Sequence, residues 1–466
     1  MKRTNNEILI GLALAGALAS CRVTKNYKPD SIQTAHLYRD TTGTGSTNLA
    51  DLPWQQLFPD TELQALISEG LKNNFDLKTA LQRILESEAT LKQSKSAFLP
   101  TLSAGVDVTK SQLSQAAQAF YFSGMKLNTT TYRAQVNASW EIDIWGKLKS
   151  SKKMALANVL KSEAAARAVQ TQLIADIANN YYTLLALDKQ LAITKQTLTN
   201  RISDAETMKT LKENAVVNGA AVVQSEANRY AAEVAIPDLE QSILETENAL
   251  SILLGRAPGA VSRTSLDSQE MKVDLKTGLS SDLLKNRPDV QEAQYAFMSA
   301  FENTNLARTY FYPSFAITAG GGISSIALED MFKKSLFYSI AGALTQPILN
   351  QGQNKARLRT AQAQQQEALN TFQQTLLTAS KEVSNAMSSY SVACRKQHSR
   401  EMQISYLEKS VDFTKDLLTY SSSTNFTDVL TSEQNLLSAQ LSGVEDKLQQ
   451  LQAVVNLYRA LGGGWK

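Results

Sequence analysis

The stretch Tyr132-Arg133-Ala134-Gln135-Val136-Asn137-Ala138-Ser139-Trp140-Glu141-Ile142-Asp143-Ile144 sorts its residues into two files. Tyr132, Ala134, Val136, Ala138, Trp140, Ile142 and Ile144 alternate with Arg133, Gln135, Asn137, Ser139, Glu141 and Asp143. A period of two belongs to a β-strand, because a helix would scatter the same residues around its circumference. Upstream, Leu102-Ser103-Ala104-Gly105-Val106-Asp107-Val108-Thr109 alternates in the same way. Strands are therefore predicted near 99–109 and 131–145, joined by a polar loop. Each matches the roughly 9 to 11 residues that a tilted strand needs to cross a bilayer, with lipid on one face and water on the other. An ordinary half-buried hairpin in a soluble domain is the alternative reading.

Composition narrows the class. The chain has 466 residues and a formal net charge of +3, so no basic field points to nucleic acid. Mean hydropathy is −0.24, and no uncharged apolar run reaches the roughly 18 to 20 residues of a spanning helix, so a membrane crossing must be made by strands. Ala, Gln, Leu and Ser are abundant, and only nine prolines occur, which suits long helices. At the amino terminus, Met1-Lys2-Arg3 precedes an apolar core at 8–19 and the ending Leu18-Ala19-Ser20-Cys21. Residues 1–20 read as a secretory leader. Leu-Ala-Ser-Cys resembles the bacterial lipobox, which implies cleavage before Cys21 and acylation of its thiol and new amino group. Cys394 is then the only free thiol, and no intrachain disulfide is expected.

After a loop-like tether at 21–60, helix is predicted from Asp60, a plausible N-cap, with a break at Asn73-Asn74. Beyond Gly146, Ile177, Leu184, Leu191 and Leu198 recur at seven-residue steps, in a helix of roughly 65 residues and about 100 Å. Asn218-Gly219 punctuates it, and a second helix runs to Leu254-Gly255, closed by Pro258 and Gly259. The whole pattern then repeats. Leu71-Lys72-Asn73 recurs as Leu284-Lys285-Asn286, and Phe98-Leu99-Pro100 as Phe311-Tyr312-Pro313, both at an offset of 213. Gly146 pairs with Gly352 at 206, and Leu254-Gly255 with Leu461-Gly462 at 207. Two copies of one unit are predicted: 61–255 and 284–466, linked by a connector at 256–283. The second copy's strands fall near 314–324 and 336–346. In the last helix, Leu437, Leu441, Val444, Leu448, Leu451, Val455 and Tyr458 are spaced 4, 3, 4, 3, 4, 3, a coiled-coil seam.

Catalytic and metal signatures are not found in the sequence. Its two histidines, His36 and His398, lack partners at ligand spacing. The triplets Gly320 to Gly322 and Gly462 to Gly464 lack the strand-then-helix context of a nucleotide fingerprint. Glu141 and Asp143 could pass for a paired acid and base, but the hydrated face of a pore wall is the favoured reading. No enzyme, cofactor or metal is expected.

Several stretches together resemble the TolC-like outer-membrane factors, in their lipidated efflux branch: 54–77, Ser139-Trp140-Glu141-Ile142-Asp143-Ile144-Trp145-Gly146, Asn248-Ala249-Leu250 with Leu253-Leu254-Gly255-Arg256, Arg287-Pro288-Asp289-Val290, Pro347-Ile348-Leu349-Asn350-Gln351-Gly352, and 455–465. The resemblance implies a mainly α protein with a membrane β-barrel, in which a homotrimer supplies four strands per chain to one twelve-stranded barrel in the outer membrane and the helices wall a periplasmic tunnel. Segments near 22–60 and 256–283 would form a belt around it. It also implies a periplasmic adaptor and an inner-membrane pump of the RND type as partners, outer-membrane lipid around the barrel, and passive export of small molecules. A type I protein-secretion duct and a pore-free periplasmic scaffold lipoprotein are the alternatives. At the periplasmic tip the family carries a turn glycine and a gate of leucine and aspartate. Alignment puts Ser422 at that glycine, Thr427 at the leucine and Thr431 at the aspartate, with Asp428 the nearest acid. In the first copy Ala215 takes the glycine position and Gly219 follows. Thr427, Asp428 and Thr431 are the gate candidates, and Gly219 and Ser422 the docking-tip candidates.

Overall fold

In a computed structural model, residues 23–27, 52–112, 114, 128–269, 286–420 and 426–465 are described. Their elements run α1 (Trp54–Leu57), α2 (Thr61–Asn73), α3 (Phe75–Ser96), β1 (Thr101–Gln112), β2 (Asn128–Ile142), α4 (Lys147–Glu213), α5 (Gly219–Leu253), α6 (Pro288–Thr309), β3 (Ser314–Ser325), β4 (Leu336–Thr345), α7 (Gln353–Tyr420) and α8 (Phe426–Ala460). The two copies match closely: α4 and α7 have 67 and 68 residues, and α5 and α8 have 35 each. None of the described helices is long and apolar enough to cross a membrane. The short α1 is an addition to the loop expected there.

The chain divides into two compact units, each drawn from three separate stretches. One comprises Met1–Ser31, Ile84–Lys161 and Ala293–Thr371, and holds the sheet. Its four strands pair antiparallel in the order β1-β2-β3-β4. The register lines up whole rows. Leu102, Ala138, Ala319 and Ile340 stand side by side, as do Ala104, Val136, Gly321 and Tyr338, and Val106, Ala134, Ile323 and Leu336. The intervening rows are Thr101, Ser139, Thr318 and Ala341; Ser103, Asn137, Gly320 and Ser339; and Gly105, Gln135, Gly322 and Phe337. Because side chains alternate across a strand, the sheet has one apolar and one largely polar face.

Strand limits differ from the alternation pattern for local reasons. β1 starts at Thr101 rather than 99, because Leu99 N–H bonds Ser96 O in a turn (2.9 Å) and Pro100 has no N–H to donate. β2 stops at Ile142 rather than 145, because Asp143 leaves the ladder: its carboxylate accepts from Leu148 N (3.0 Å) and Lys149 N (2.9 Å) at the start of α4. Gly146 and its repeat partner Gly352 then turn the chain with φ of 80° and 78°. In the same unit, Asn305 on α6 clasps the backbone of Lys25, accepting from its N–H (3.0 Å) and donating to its carbonyl (2.9 Å). Tyr27 packs edge-on against Phe297 and Phe301.

The other unit comprises Ile32–Arg83, Ser162–Glu292 and Phe372–Lys466. Its core contains Phe58, Leu63, Ile67, Ile174, Ile177, Tyr181, Leu184, Leu250, Leu254, Val454 and Tyr458, all buried. Gly70 lets α2 approach α4 there, since a Cβ would collide with the Ile177 side chain. Asp60 caps α2 through Glu62 N (2.9 Å). It also accepts from Tyr181 (2.7 Å), Thr264 (2.6 Å) and Gln269 (2.7 Å). Burial opposes its charge, but the bonds from Thr264, Tyr181, Gln269 and Glu62 outweigh it and hold its carboxyl below the usual value. Arg263 grips Asp188 with two bonds, of 2.6 and 3.0 Å, and also reaches Glu247.

Repeat-related residues do the same job with different chemistry. Asn74 donates to Leu253 O at the end of α5 (3.0 Å), and Arg287, 213 positions later, donates to Ala460 O at the end of α8 (2.8 Å). Both helices end in a Schellman motif around a glycine with positive φ: Gly255 (69°) and Gly462 (85°). Gly255, not Pro258 and Gly259, therefore closes α5.

Candidate functional site

The sequence points to two helix-to-helix turns. The first joins α4 to α5. Ala215 N–H bonds Lys212 O (2.9 Å) and Val216 N–H bonds Leu211 O (2.8 Å), the same Schellman pattern, with Ala215 at φ 57° in the position that favours glycine. Asn218 then caps α5 by accepting from Ala221 N (3.1 Å), and Gly219 is its first residue, with open space where a Cβ would sit. Gly219 therefore performs no turn work, because Ala215 has taken the left-handed position. The second turn contains Ser422, which lies outside the described residues, as does Cys21.

At the start of α8, Phe426, Val429 and Leu430 are buried against Met208, with Leu211, Val217, Ala221, Val222 and Leu418 around them. This apolar knot ties the first turn to α8 and orients the opposite helical face. Thr427, Asp428 and Thr431 all lie on that opposite, exposed face. Thr427 and Thr431 are one turn apart, as the sequence implies. Thr431 Oγ1 donates to Thr427 O at 2.8 Å, so its hydrogen is used within the helix rather than offered across a channel axis.

A charged cluster that the motif search did not find lies just above, among α4, α7 and α8. Arg201 Nη1 stands 2.8 Å from Glu433 Oε2, close in distance but off the hydrogen-bond direction. Lys415 lies 2.7 Å from Glu433 and 3.7 Å from Asp204. Burial, then the neighbouring Glu433 carboxylate, push the Asp204 carboxyl up to about 6, against the pull of Lys415 and Arg201. The missed signal was seam position. Counting back from Leu437 in steps of 4 and 3 reaches Glu433, Leu430 and Phe426, and on α4 the same spacing joins Arg201, Ala205 and Met208. Charges on an otherwise apolar seam must be paired, and here they pair with one another.

The paired carboxylates Glu141, in β2, and Asp143, just beyond its end, are both committed. Glu141 takes Lys147 Nζ at 2.8 and 3.0 Å, and Asp143 caps α4. Among the described residues, no group of three or more His, Cys, Asp and Glu is placed to hold a metal.

A family model described as "Outer membrane efflux protein" matches residues 66–256 and 279–463, most of the chain. The chain belongs to the outer membrane efflux protein family. Its relatives include the "Probable outer membrane lipoprotein SilC" of Salmonella typhimurium, 28% identical over 417 residues, 89% of this chain and 88% of that one. Another is the toluene efflux pump outer membrane protein TtgC of Pseudomonas putida, 29% identical over 474 aligned positions, 98% of this chain and 96% of the relative. Among solved structures, the open state of the Neisseria gonorrhoeae MtrE outer membrane channel superposes with a TM-score of 0.84 at 26% identity, over 96% of this chain and 99% of that one. The four-stranded sheet is the membrane part of an outer membrane efflux protein. This family is one of ducts rather than enzymes.

Proposed function

We propose that three copies of this chain close one twelve-stranded barrel and form a passive exit duct, which docks a periplasmic adaptor and an inner-membrane pump of the RND type and releases small molecules outside. The observation that carries this reading is the sheet itself. It has an apolar face, a polar face and two open edges, β1 and β4. In lipid an unpaired edge leaves backbone groups without partners at several kcal/mol each, so the sheet must close, and four strands are too few to do so alone. With the apolar rows facing lipid, the polar rows line a water-filled bore. Relatives named for efflux of toluene and of cations favour efflux over protein secretion.

In this reading the leader 1–20 is removed and Cys21 carries the acyl anchor. Residues 21–60 and the connector 256–283 form the belt around the helical copies 61–255 and 284–466. Thr427, Asp428 and Thr431 line the closed periplasmic end, and the turns at Gly219 and Ser422 meet the adaptor. Planar-bilayer recordings of the purified protein test the duct directly. Discrete conductance steps are expected, and their absence from an intact, inserted preparation would refute it.

A further inference from the structure

The geometry points to a charge filter for anionic solutes on the polar face of the sheet, formed by Arg133 and held in place by Phe337. Along β1 to β4 that face carries Thr, Ser, Gly, Ala, Asn and Gln almost throughout, with Arg133 as its single cation and Phe337 as its single aromatic residue among the described strands. Its acids are Asp107 and Glu141, and Glu141 is neutralised by Lys147. The lone cation and the lone ring are brought together across an intervening strand. The Arg133 guanidinium lies 5.9 Å from the Phe337 ring centroid, although Arg133 is on β2 and Phe337 on β4.

The strand between them makes this reach feasible. β3 presents Gly322 and Ser324 beneath the arginine, and a Cβ on Gly322 would strike the Ala134 carbonyl and stand 2.6 Å from Gln135 Cα. That clash fixes glycine at 322 through the close approach of β2, and the missing side chain leaves nothing on β3 at this row to stand between arginine and ring. Asp107 is the directly opposed neighbour of Arg133 on β1. Yet no carboxylate among the described residues lies within ion-pair distance of Arg133, and its Nε is buried without a hydrogen-bond partner. The cation is therefore drawn toward the ring rather than toward Asp107, which preserves its charge for the bore. Phe337 is the second residue of β4, and Arg133 lies in the half of β2 away from α4, five residues in from Asn128, which places the pair toward the outer part of the barrel.

This inference rests on the trimeric duct proposed above. Closing the barrel sets three such guanidinium groups around one axis, the arrangement by which rings of arginine favour anions in narrow pores. Phe337 acts as a positioning residue, since a cation over an aromatic face is held by the ring quadrupole.

Reversal potentials measured across a planar bilayer in a potassium chloride gradient test the assignment. Arg133→Gln should lower the chloride-to-potassium permeability ratio by about twofold or more, whereas Arg133→Lys should keep most of it. Phe337→Leu should lower the ratio as well, by releasing the guanidinium to Asp107. Asp107→Asn, which leaves arginine and ring in place, should raise it, and carries the test if Arg133→Gln fails to assemble. A conducting Arg133→Gln duct with an unchanged ratio, or an Asp107→Asn duct with an unchanged ratio, would overturn the filter. Wild-type protein that does not conduct would overturn the duct itself, a separate failure.

Discussion

Replacing Gly255 by alanine should be among the most damaging single-methyl changes in the helical part of this protein. Two costs combine. Gly255 sits at φ 69°, where a residue with a Cβ loses about 1 to 2 kcal/mol. The added methyl would also stand 2.6 Å from Asn73 O and 2.9 Å from Asn73 C, backbone atoms that cannot swing aside. Overpacking of that kind costs about 1 to 3 kcal/mol, and the reduced freedom of the unfolded chain returns about 0.4 to 1. The net loss is about 2 to 4 kcal/mol. Its repeat partner Gly462 provides an internal control. It has the same hydrogen-bond pattern and a φ of 85°, but its nearest atoms would be at 3.1 Å. Gly462→Ala should therefore cost only about 1 kcal/mol. At the third motif the sign reverses, because Ala215 already occupies the strained position, and Ala215→Gly should stabilise its turn by about 0.5 to 1 kcal/mol. Hydrogen exchange followed by mass spectrometry reads each end through the amides of Arg256, Gly463 and Val216. Exchange at Arg256 should accelerate by about 30-fold or more in Gly255→Ala, exceed the change at Gly463 in Gly462→Ala, and slow at Val216 in Ala215→Gly. Equal acceleration in the two glycine variants would refute the argument from Asn73.

Asp204 gives a pH dependence with a defined sign. Its folded pKa, about 6, is above the ordinary 3.8, so the stability it contributes is fully present below about pH 4 and is lost as pH rises through about 6. Asp204→Asn should abolish that step and slow exchange around Met208 at pH 7.5; an unchanged pH profile would discount the Arg201, Lys415 and Glu433 cluster as its cause. On the sheet, Val136→Arg should cost roughly 2 to 4 kcal/mol if it lies at the bilayer midplane, whereas Asn137→Arg on the polar face should assemble normally in detergent-resistant form. Cys21→Ser should abolish palmitate labelling; persistent labelling would remove the lipobox reading. Thr427→Leu should reduce the open fraction in single-channel recordings; three Asp428 carboxylates at a narrow tip would bind divalent cations and make conductance depend on them, so Asp428→Asn should remove that dependence, and if both behave as wild type the constriction lies elsewhere.

The parts of the fold that follow from period and repetition were legible in the sequence. The alternation from Tyr132 to Ile144 located β2 and its two faces, and the offsets of 206 to 213 exposed two copies with helices equal to within a residue. What escaped depended on three-dimensional partners. The strand end at Ile142 is set by Asp143 reaching two amides of the following helix, which no alternation rule contains. Ala215 in a left-handed turn could not be foreseen, because the residue type argues against the conformation it adopts. Arg201 and Glu433 occupy seam positions in the 4-3 spacing, but a charged residue carries no apolar signal that would mark such a position as packed. The Arg133 and Phe337 contact joins strands that are not adjacent, so it follows only from the joint register of β2, β3 and β4.

The native mass of the detergent-purified protein tests the central claim most directly, because a four-stranded sheet with one lipid face must be completed by other copies of itself. The account predicts a mass three times that of the mature acylated chain, in particles that conduct when added to a planar bilayer. A stable monomer that conducts would contradict it.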